Sequence, residues 1–173
     1  MFSAFANIFR VPELKSRVLF TLGMLFVYRI GCHIPTPGVN TVLLDQMFSA
    51  QQGGLLGFMN LFSGGALKRF SVFALGVMPY ISVSIILQLL TAVIPALEKL
   101  AKEGEAGRRK ITQYTRYGTV LLCIIQGTGF TYMLKTLGEG LVFEWGLGFQ
   151  LLTLLTLTAG TLFLMWLGEQ ITE

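Results

Sequence analysis

Residues 53–94 decide the fold of this chain and read GGLLGFMNLFSGGALKRFSVFALGVMPYISVSIILQLLTAVI. A mostly apolar run over 55–67 stops at a Lys68-Arg69 pair, and a longer apolar run over 70–94 follows at once. Thirteen helical residues rise only about 20 Å, whereas the hydrocarbon core of a bilayer is roughly 30 Å thick. The first run therefore predicts a short helix that does not span the membrane, and the second predicts a full span.

The Lys68-Arg69 pair separates these two runs. A Lys or Arg side chain at the lipid-exposed centre of a helix costs on the order of 3 kcal/mol. We therefore predict that both side chains lie in a polar joint that water can reach. A short, glycine-broken helix beside such a joint, backed onto a span, is typical of membrane proteins that build cavities or pores. An interfacial helix lying flat before the span fits the same pattern equally well.

The composition places the chain in the membrane. Its 173 residues are 53% hydrophobic and 13% charged, with a mean hydropathy of +0.67, outside the range of soluble globular domains. Four segments are long and apolar enough to cross a bilayer. They cover residues 14–34, 70–94, 118–134 and 149–167. The predicted fold class is an all-α polytopic membrane protein with four transmembrane helices and one short non-spanning helix.

The basic residues predict the orientation of these spans. Nine of the thirteen Lys and Arg residues lie before or at the start of the first span, or between the second and third, which is the cytoplasmic side by the positive-inside rule. The loop between the third and fourth spans instead carries Lys135 against Glu139 and Glu144. Both termini of this segment are therefore predicted to be cytoplasmic. The net charge of +4 follows from topology, and we expect no direct nucleic-acid binding.

One face of the second span changes character along its length. Its members recur at helical spacing and are Val77, Ile81, Ser84, Gln88 and Thr91. The face is aliphatic near mid-membrane and polar toward the cytoplasm, which predicts a funnel that closes at an aliphatic collar. Packing against another helix, with the polar groups bonded across the interface, would use the same pattern. Pro79 cannot donate to the Leu75 carbonyl, so we expect a kink or a freed acceptor between the two collar positions.

The remaining polar residues predict little chemistry. Cys32 and Cys123 fall at different depths, so we expect packing roles and no internal disulfide. His33 has no second ligand at helical spacing, so we predict no metal site and no cofactor. Arg29 is expected to reach the headgroups or to pair with a carboxylate. Gln126 is an amide in hydrocarbon, so it should meet another polar side chain.

Four longer stretches carry a family resemblance. They are RIGCHIPTPGVN (29–40), FMNLFSGGALKRFSVFALGVMPYISVSIILQLL (58–90), KEGEAGRRKITQYTRYGT (102–119) and GTLFLMWLGEQITE (160–173). These stretches closely resemble the SecY family, the channel subunits of bacterial protein-translocation complexes, and the resemblance covers essentially the whole chain. Members of the family are similar in having ten spans in two inverted halves of five. This chain resembles the first four spans of that ten-helix channel.

The resemblance implies roles for particular residues. The short helix of 55–67 resembles the plug that seals the external side of the resting channel. Its plug residues are Leu55, Phe58, Met59, Leu61, Phe62, Ser63, Gly64 and Gly65. Val77 and Ile81 match pore-ring positions. Ser82 and Gln126 match the polar cluster of the lateral gate, where the second and third spans face the seventh and eighth.

The resemblance extends to the basic loop over 95–117. This loop resembles the second cytoplasmic loop of the family, on the side where SecA and ribosomes dock. Its partner-facing residues would be Lys102, Arg108, Arg109 and Lys110.

The resemblance also implies a function. The protein would pass unfolded preproteins outward across the bacterial plasma (inner) membrane and release signal and transmembrane segments sideways into lipid. Its partners would be the SecE and SecG membrane subunits, the SecA ATPase, the ribosome, signal peptides, preproteins and membrane lipids. No phosphate-binding loop of the Gly-x4-Gly-Lys-Ser/Thr type occurs in the sequence. Energy would therefore come from SecA or from translation, and no enzyme activity is expected.

Two other classes of protein fit parts of the pattern. A secondary transporter also uses a discontinuous helix beside a midplane site, but it normally places a buried Asp, Glu or Arg there, and the middles of these spans carry none. A membrane hydrolase needs a nucleophile with a base, and the chain has only His33 and no Gly-x-Ser-x-Gly motif. Ion-coupled uptake of a small solute would favour the transporter, whereas crosslinking to a polypeptide in transit would favour the channel.

Overall fold

A computed structural model describes residues 12–50, 63–138 and 140–172 of the chain. Over these residues the chain forms six α-helices, and its β-type pairings are two isolated bridges, Pro35 with Ser71 and Val39 with Val142. The helices are α1 (Pro12–Gly31), α2 (Thr41–Ala50), α3 (Met78–Val93), α4 (Pro95–Lys102), α5 (Glu105–Leu137) and α6 (Leu147–Thr172). The predicted all-α fold class is confirmed for this part of the chain.

Helices α5 and α6 are each long and apolar enough to cross a membrane. Helices α3 and α4 make a third candidate span if the two count together, although they meet at an angle of 102°. Helix α1 carries Lys15 and Arg17 at one end and Arg29 at the other, and it is not among these candidates. The described residues therefore contain two or three spans by length and composition, and the count of four remains a prediction.

The prediction of one continuous helix over 70–94 is wrong. Residues 63–77 form a series of turns, and α3 begins only after them. Two features explain the late start. Gly76 takes a positive φ of 58°, and Pro79, which has no N–H, lies in the first helical turn, where no backbone donor is needed. Of the two predicted effects of Pro79, a kink or a freed acceptor, the kink is wrong, because Pro79 lies at the start of the helix.

Helix α3 is short and ends in a sharp corner. Its 16 residues rise about 24 Å. Ile94 takes an extended conformation (φ −96°, ψ 113°) because the ring of the following Pro95 disfavours the helical region. Pro95 then opens α4. The segment 95–117, predicted as a loop, is thus largely helical, since it holds α4 and the first turns of α5.

Helix α5 is longer than predicted at its basic end. The apolar run 118–134 marks only its later part, whereas the helix starts at Glu105 and has 33 residues, or about 50 Å. The charged stretch before the apolar run is rich in Arg, Lys and Gln, which are good helix formers, and Glu105 favours the helix start. Helix α6 likewise extends beyond the predicted 149–167 at both ends.

Helices α3 and α6 pack against α5, and α1 packs against α6. A methyl group added at Gly118 of α5 would lie 2.7 Å from Cγ1 of Val83 in α3. The short α4 cannot carry the chain back along α3, so α3 and α5 run in opposite directions. Because a helix rises about 1.5 Å per residue, this contact places the first turn of α3 near the mid-length of α5. The turns of 63–77 therefore end near the middle of the helical group.

Candidate functional site

The turn segment, residues 63–77, is held at its beginning by α1. The hydroxyl of Tyr28 donates to the carbonyl of Ser63 at 3.4 Å, and Nη1 of Arg29 donates to the carbonyl of Gly64 at 3.1 Å. Gly64 takes a positive φ of 62°, a region that residues with a Cβ rarely adopt. The partner that the structure shows for the Arg29 guanidinium is thus a backbone carbonyl in place of the expected carboxylate, and its contact with headgroups remains a prediction.

The middle of the turn segment pairs with the loop that follows α1. The N–H of Thr36 donates to the Phe70 carbonyl at 2.9 Å, and the N–H of Val72 donates to the Ile34 carbonyl at 3.0 Å. Phe70 is buried and its φ is 45°, a strained conformation for an aromatic residue. Burial of the ring and the flanking hydrogen bonds hold this conformation. The turn segment is thus tied to its surroundings at several points.

The end of the turn segment lies against α1 and α6. The ring of Phe73 stacks between the rings of Tyr28 (centroids 5.8 Å apart, planes at 11°) and Phe163 (6.1 Å, 8°). Gly160 lets the backbone of Val72 approach α6, because a methyl group at Gly160 would overlap the Val72 carbonyl oxygen. These contacts fix the backbone just before α3 begins.

A polar cavity of about 210 Å³ lies beside the turn segment. It is lined by Arg29, Cys32, His33, Asp45, Gly64, Gly65, Lys68 and Arg69. Nζ of Lys68 lies 2.6 Å from Oδ1 of Asp45, and the two side chains are 34% and 52% exposed. Lys68 and Arg69 thus lie at a polar cavity, as the sequence predicts. The sequence reasoning missed Asp45, although it is the one acidic residue between Glu13 and Glu98.

His33 and Cys32 line this cavity together with Asp45. Nδ1 of His33 lies 2.8 Å from the Arg29 carbonyl oxygen. Within the described ranges, no three His, Cys, Asp or Glu side chains lie close enough together to hold a metal ion. Cys32 and Cys123 are both buried free thiols. Of the groups that line this cavity, Arg29 and Asp45 contact the turn segment, through the Gly64 carbonyl and the Lys68 side chain.

The two predicted collar residues, Val77 and Ile81, lie one turn apart at the start of α3. Val77 immediately precedes the helix, and the Ile81 N–H donates to the Val77 carbonyl at 3.0 Å. Their side chains are 43% and 44% exposed, so the described helices leave them uncovered. Because α3 starts near the mid-length of α5, the pair lies near mid-height in the helical group. This position suits a collar, and the pore-ring role remains a prediction.

The polar residues further along α3 bond within their own helix. Nε2 of Gln88 donates to the Ser84 hydroxyl at 3.5 Å, and the Thr91 hydroxyl donates to the Gln88 carbonyl at 2.6 Å. The packing interpretation of this face predicts bonds across a helix interface instead. Among the described residues these polar groups thus bond within α3, and the funnel and the packing interpretations both remain predictions.

The predicted lateral-gate residues lie on two helices in contact. Ser82 of α3 and Gln126 of α5 are both partly buried. Given the contact of Val83 with Gly118, Gln126 lies about 10 Å further along α5 than the level of Ser82. In the described part of the chain neither side chain has a hydrogen-bond partner, so the polar partner expected for Gln126 is not found there. The gate role remains a prediction.

The basic end of α5 contains most of the predicted partner-facing residues. Arg108, Arg109 and Lys110 are exposed, and Lys102 of α4 pairs with Glu98 at 2.6 Å. A cavity of about 470 Å³ lies at this end. It is lined by Glu105, Arg108, Arg109, Thr112, Gln113 and Arg116. The docking of partners here remains a prediction.

An ion pair that the sequence reasoning missed joins α5 to α6. Nη2 of Arg116 lies 2.6 Å from Oε2 of Glu169, and Nε donates to Oε1 at 3.3 Å. Such two-point contacts fix orientation as well as distance. The sequence does contain a sign of this ion pair, because Glu169 is the one acidic residue in α6 and needs a basic partner. The pair aligns the end of α6 with the beginning of the apolar part of α5.

Most of the predicted plug lies outside the described residues. The residues that fall there are Leu55, Phe58, Met59, Leu61 and Phe62. Ser63, Gly64 and Gly65 are described, and they form turns, so the predicted helix over 55–67 is wrong at this end. The reason is that Gly64 and Gly65 take φ values of 62° and 86°, and two successive positive values cannot continue a right-handed helix.

These features define a helical membrane protein in which an anchored, non-helical segment interrupts the second apolar stretch. The SecY family model matches residues 71–173. Relatives that match most of the chain are more than half identical to it. The chain belongs to the SecY family.

Three relatives show the extent of the match. Protein translocase subunit SecY of Streptomyces griseus is 51% identical over 182 residues, covering 100% of this chain and 42% of the relative. The same subunit is 53% identical in Pseudomonas aeruginosa, covering 94% and 36%, and 53% identical in Escherichia coli (strain K12), covering 93% and 37%. The chain thus spans about two fifths of the length of these relatives. Their shared name does not support the secondary-transporter alternative.

Proposed function

We propose that this chain forms the first part of a protein-conducting channel in the bacterial plasma (inner) membrane. The observation that carries the proposal is the anchored turn segment, which leads into α3 and leaves Val77 and Ile81 uncovered near mid-height. Family membership supports it, because the relatives are named as subunits of a protein translocase. Unfolded preproteins pass outward through the channel, and signal or transmembrane segments leave it sideways into lipid.

The collar acts as a gasket. Val77 and Ile81 carry aliphatic side chains, which make no lasting hydrogen bonds to the backbone of a passing polypeptide. A narrow apolar constriction also resists hydration, so it limits ion leakage while no polypeptide is present. On the cytoplasmic side, the hydroxyl and amide groups of Ser84, Gln88 and Thr91 keep the approach to the collar wet.

The segment 55–67 acts as the plug on the external side. Tyr28 and Arg29 hold its last part through the Ser63 and Gly64 carbonyls, which supports a plug attached close to the collar. With four spans and the basic residues inside, both termini of this segment lie in the cytoplasm.

Partners dock on the cytoplasmic and lipid-facing sides. The exposed cations Arg108, Arg109 and Lys110, at the beginning of α5, support docking of SecA or the ribosome there, since complementary charge steers association. SecE and SecG are the membrane subunits of the complex. SecA or translation supplies the energy, and the channel needs no cofactor.

The experiment that tests this function measures how test segments divide between membrane integration and full translocation. Segments graded by leucine content are passed through the full-length protein, and the midpoint between the two fates is scored. Gln126→Leu is expected to move the midpoint, because an interhelical hydrogen bond at the gate is worth about 0.6 kcal/mol and up to about 2. A change of about 1 to 2 kcal/mol in the free energy of gate opening shifts the equilibrium between integration and translocation by roughly 0.5 to 1.5 units of log K. Ser82→Leu should act likewise.

The direction of the shift reports which effect is larger, weaker gate closure or a less polar exit. Gln46→Leu is the matched control, because Gln46 is an exposed amide on α2. An unchanged midpoint for both gate variants would remove the gate assignment. Failure of the full-length protein to translocate any test segment would remove the channel function itself.

A further inference from the structure

We propose that Val72, Phe73 and Gly160 are positioning residues for the collar, a role that rests on the proposed channel function. They hold the backbone just before α3 and thereby set the place of Val77 and Ile81. The start of α3 needs such support, because no side chain caps its free N–H groups. The helix start is therefore defined by what holds the preceding turn, not by a cap of its own.

Gly160 provides the first of the two holds. The carbonyl oxygen of Val72 occupies the space where a side chain at Gly160 would begin, and Cγ1 of Val72 would lie 2.9 Å from an added methyl group. The other glycines of α6, Gly148 and Gly168, have open space at the same position. Gly160 is therefore a notch in α6 that receives the turn segment.

The Phe73 ring provides the second hold. It is 5% exposed and is stacked on both faces, by Tyr28 of α1 and by Phe163 of α6. Gly31 makes room for it, because a methyl group there would overlap the ring. The turn segment is thus packed between α1 and α6, two helices that are distant in sequence. A shift of Phe73 or Val72 should move the start of α3, because Met78 follows these residues by only five and six positions.

The test compares one substitution at two glycines of the same helix. Gly160→Ala in the full-length channel forces the Val72 carbonyl away from α6, since packed backbone cannot absorb the added methyl group. We expect a severalfold rise in resting ion conductance per inserted channel. Gly168→Ala adds the same methyl group in open space and should conduct as the unaltered channel does. Normalising to inserted protein separates a displaced collar from a loss of folding.

A second comparison decides the matter if Gly160→Ala fails to insert. Phe73→Leu removes both ring contacts and should raise the resting conductance. Phe73→Tyr keeps a stacked ring and should have the resting conductance of the unaltered channel. Phe143→Leu is the control, because Phe143 is 71% exposed. A merely structural contact would lower the amount of inserted channel without changing the conductance of each one.

The outcome is read against the double variant of Val77 and Ile81 to glycine. Suppose that the double glycine variant leaks, while Gly160→Ala and Phe73→Leu have the resting conductance of the unaltered channel. This result overturns the positioning role and does not affect the proposed channel function. No leak in the double glycine variant removes the collar assignment itself. A leak in the double variant and in Phe73→Leu, with rescue by Phe73→Tyr, supports the positioning role.

Discussion

Replacing Val77 and Ile81 together by glycine in the full-length channel is expected to raise its resting ion leak. The two side chains stand uncovered, one turn apart, near mid-height in the helical group. Removing both widens and wets an apolar constriction that excludes ions by dewetting. Resting conductance in a planar bilayer, recorded without preprotein, measures the effect directly.

The matched control uses the opposite side of the same helix. Ile86 and Leu90 are exposed aliphatic residues about half a turn away from the collar face. Glycine at Ile86 and Leu90 costs about 1 kcal/mol of helix propensity each, as it does at Ile81. Val77 lies before α3, where glycine is tolerated, so the control pair destabilises the helix at least as much as the collar pair. A leak that rises for the collar pair and not for the control pair assigns the pore ring. Equal conductance of both double variants and the unaltered channel would show that α3 does not line the constriction.

Deleting residues 55–62 is expected to make the resting channel open in brief bursts while the protein remains inserted. The deletion removes most of the plug but keeps Ser63 and Gly64, whose carbonyls are held by Tyr28 and Arg29. Insertion should not depend on a segment too short to cross the roughly 30 Å hydrocarbon core. Single-channel recording measures the openings, and reporter fusions measure the topology.

A matched variant replaces residues 55–62 by a Gly/Ser sequence of equal length. It keeps the number of residues between α2 and the turn segment and removes the side chains of 55–62, which are apolar except for Asn60. Bursts in both variants identify the side chains as the seal. Loss of insertion or an inverted topology would mean that the segment belongs to a true span and that the plug assignment is wrong.

Local patterns explain why part of this fold could be predicted from the sequence. The apolar cores of α5 and α6 stand out because a run of about 20 apolar residues is a local property. The spacing of Val77 and Ile81 survives in the structure because both lie within one helical turn. The turn segment could not be predicted in this way, because its later part, 70–76, is as apolar as the helix that follows. Contacts of Val72 and Phe73 with α1 and α6 hold it in turns.

Two other errors have different physical causes. The sequence predicts a kink or a freed acceptor at Pro79, although a proline in the first helical turn is equally a signal for a helix start. The ion pairs of Lys68 with Asp45 and of Arg116 with Glu169 join residues 23 and 53 positions apart. The hydropathy pattern shows which charged residues interrupt an apolar run, but the partner of each one depends on the tertiary fold.

Crosslinking tests most directly the claim that a polypeptide passes along α3 at the collar. A photoreactive residue at position 81 of the full-length protein is expected to form an adduct with a preprotein arrested in transit. The same residue at Leu155, which is 69% exposed on α6, reports the background. We expect an adduct from position 81 that is lost once transit is completed, and none from position 155. An arrested preprotein that gives no adduct at position 81, or an equal amount at position 155, would contradict a path through this collar.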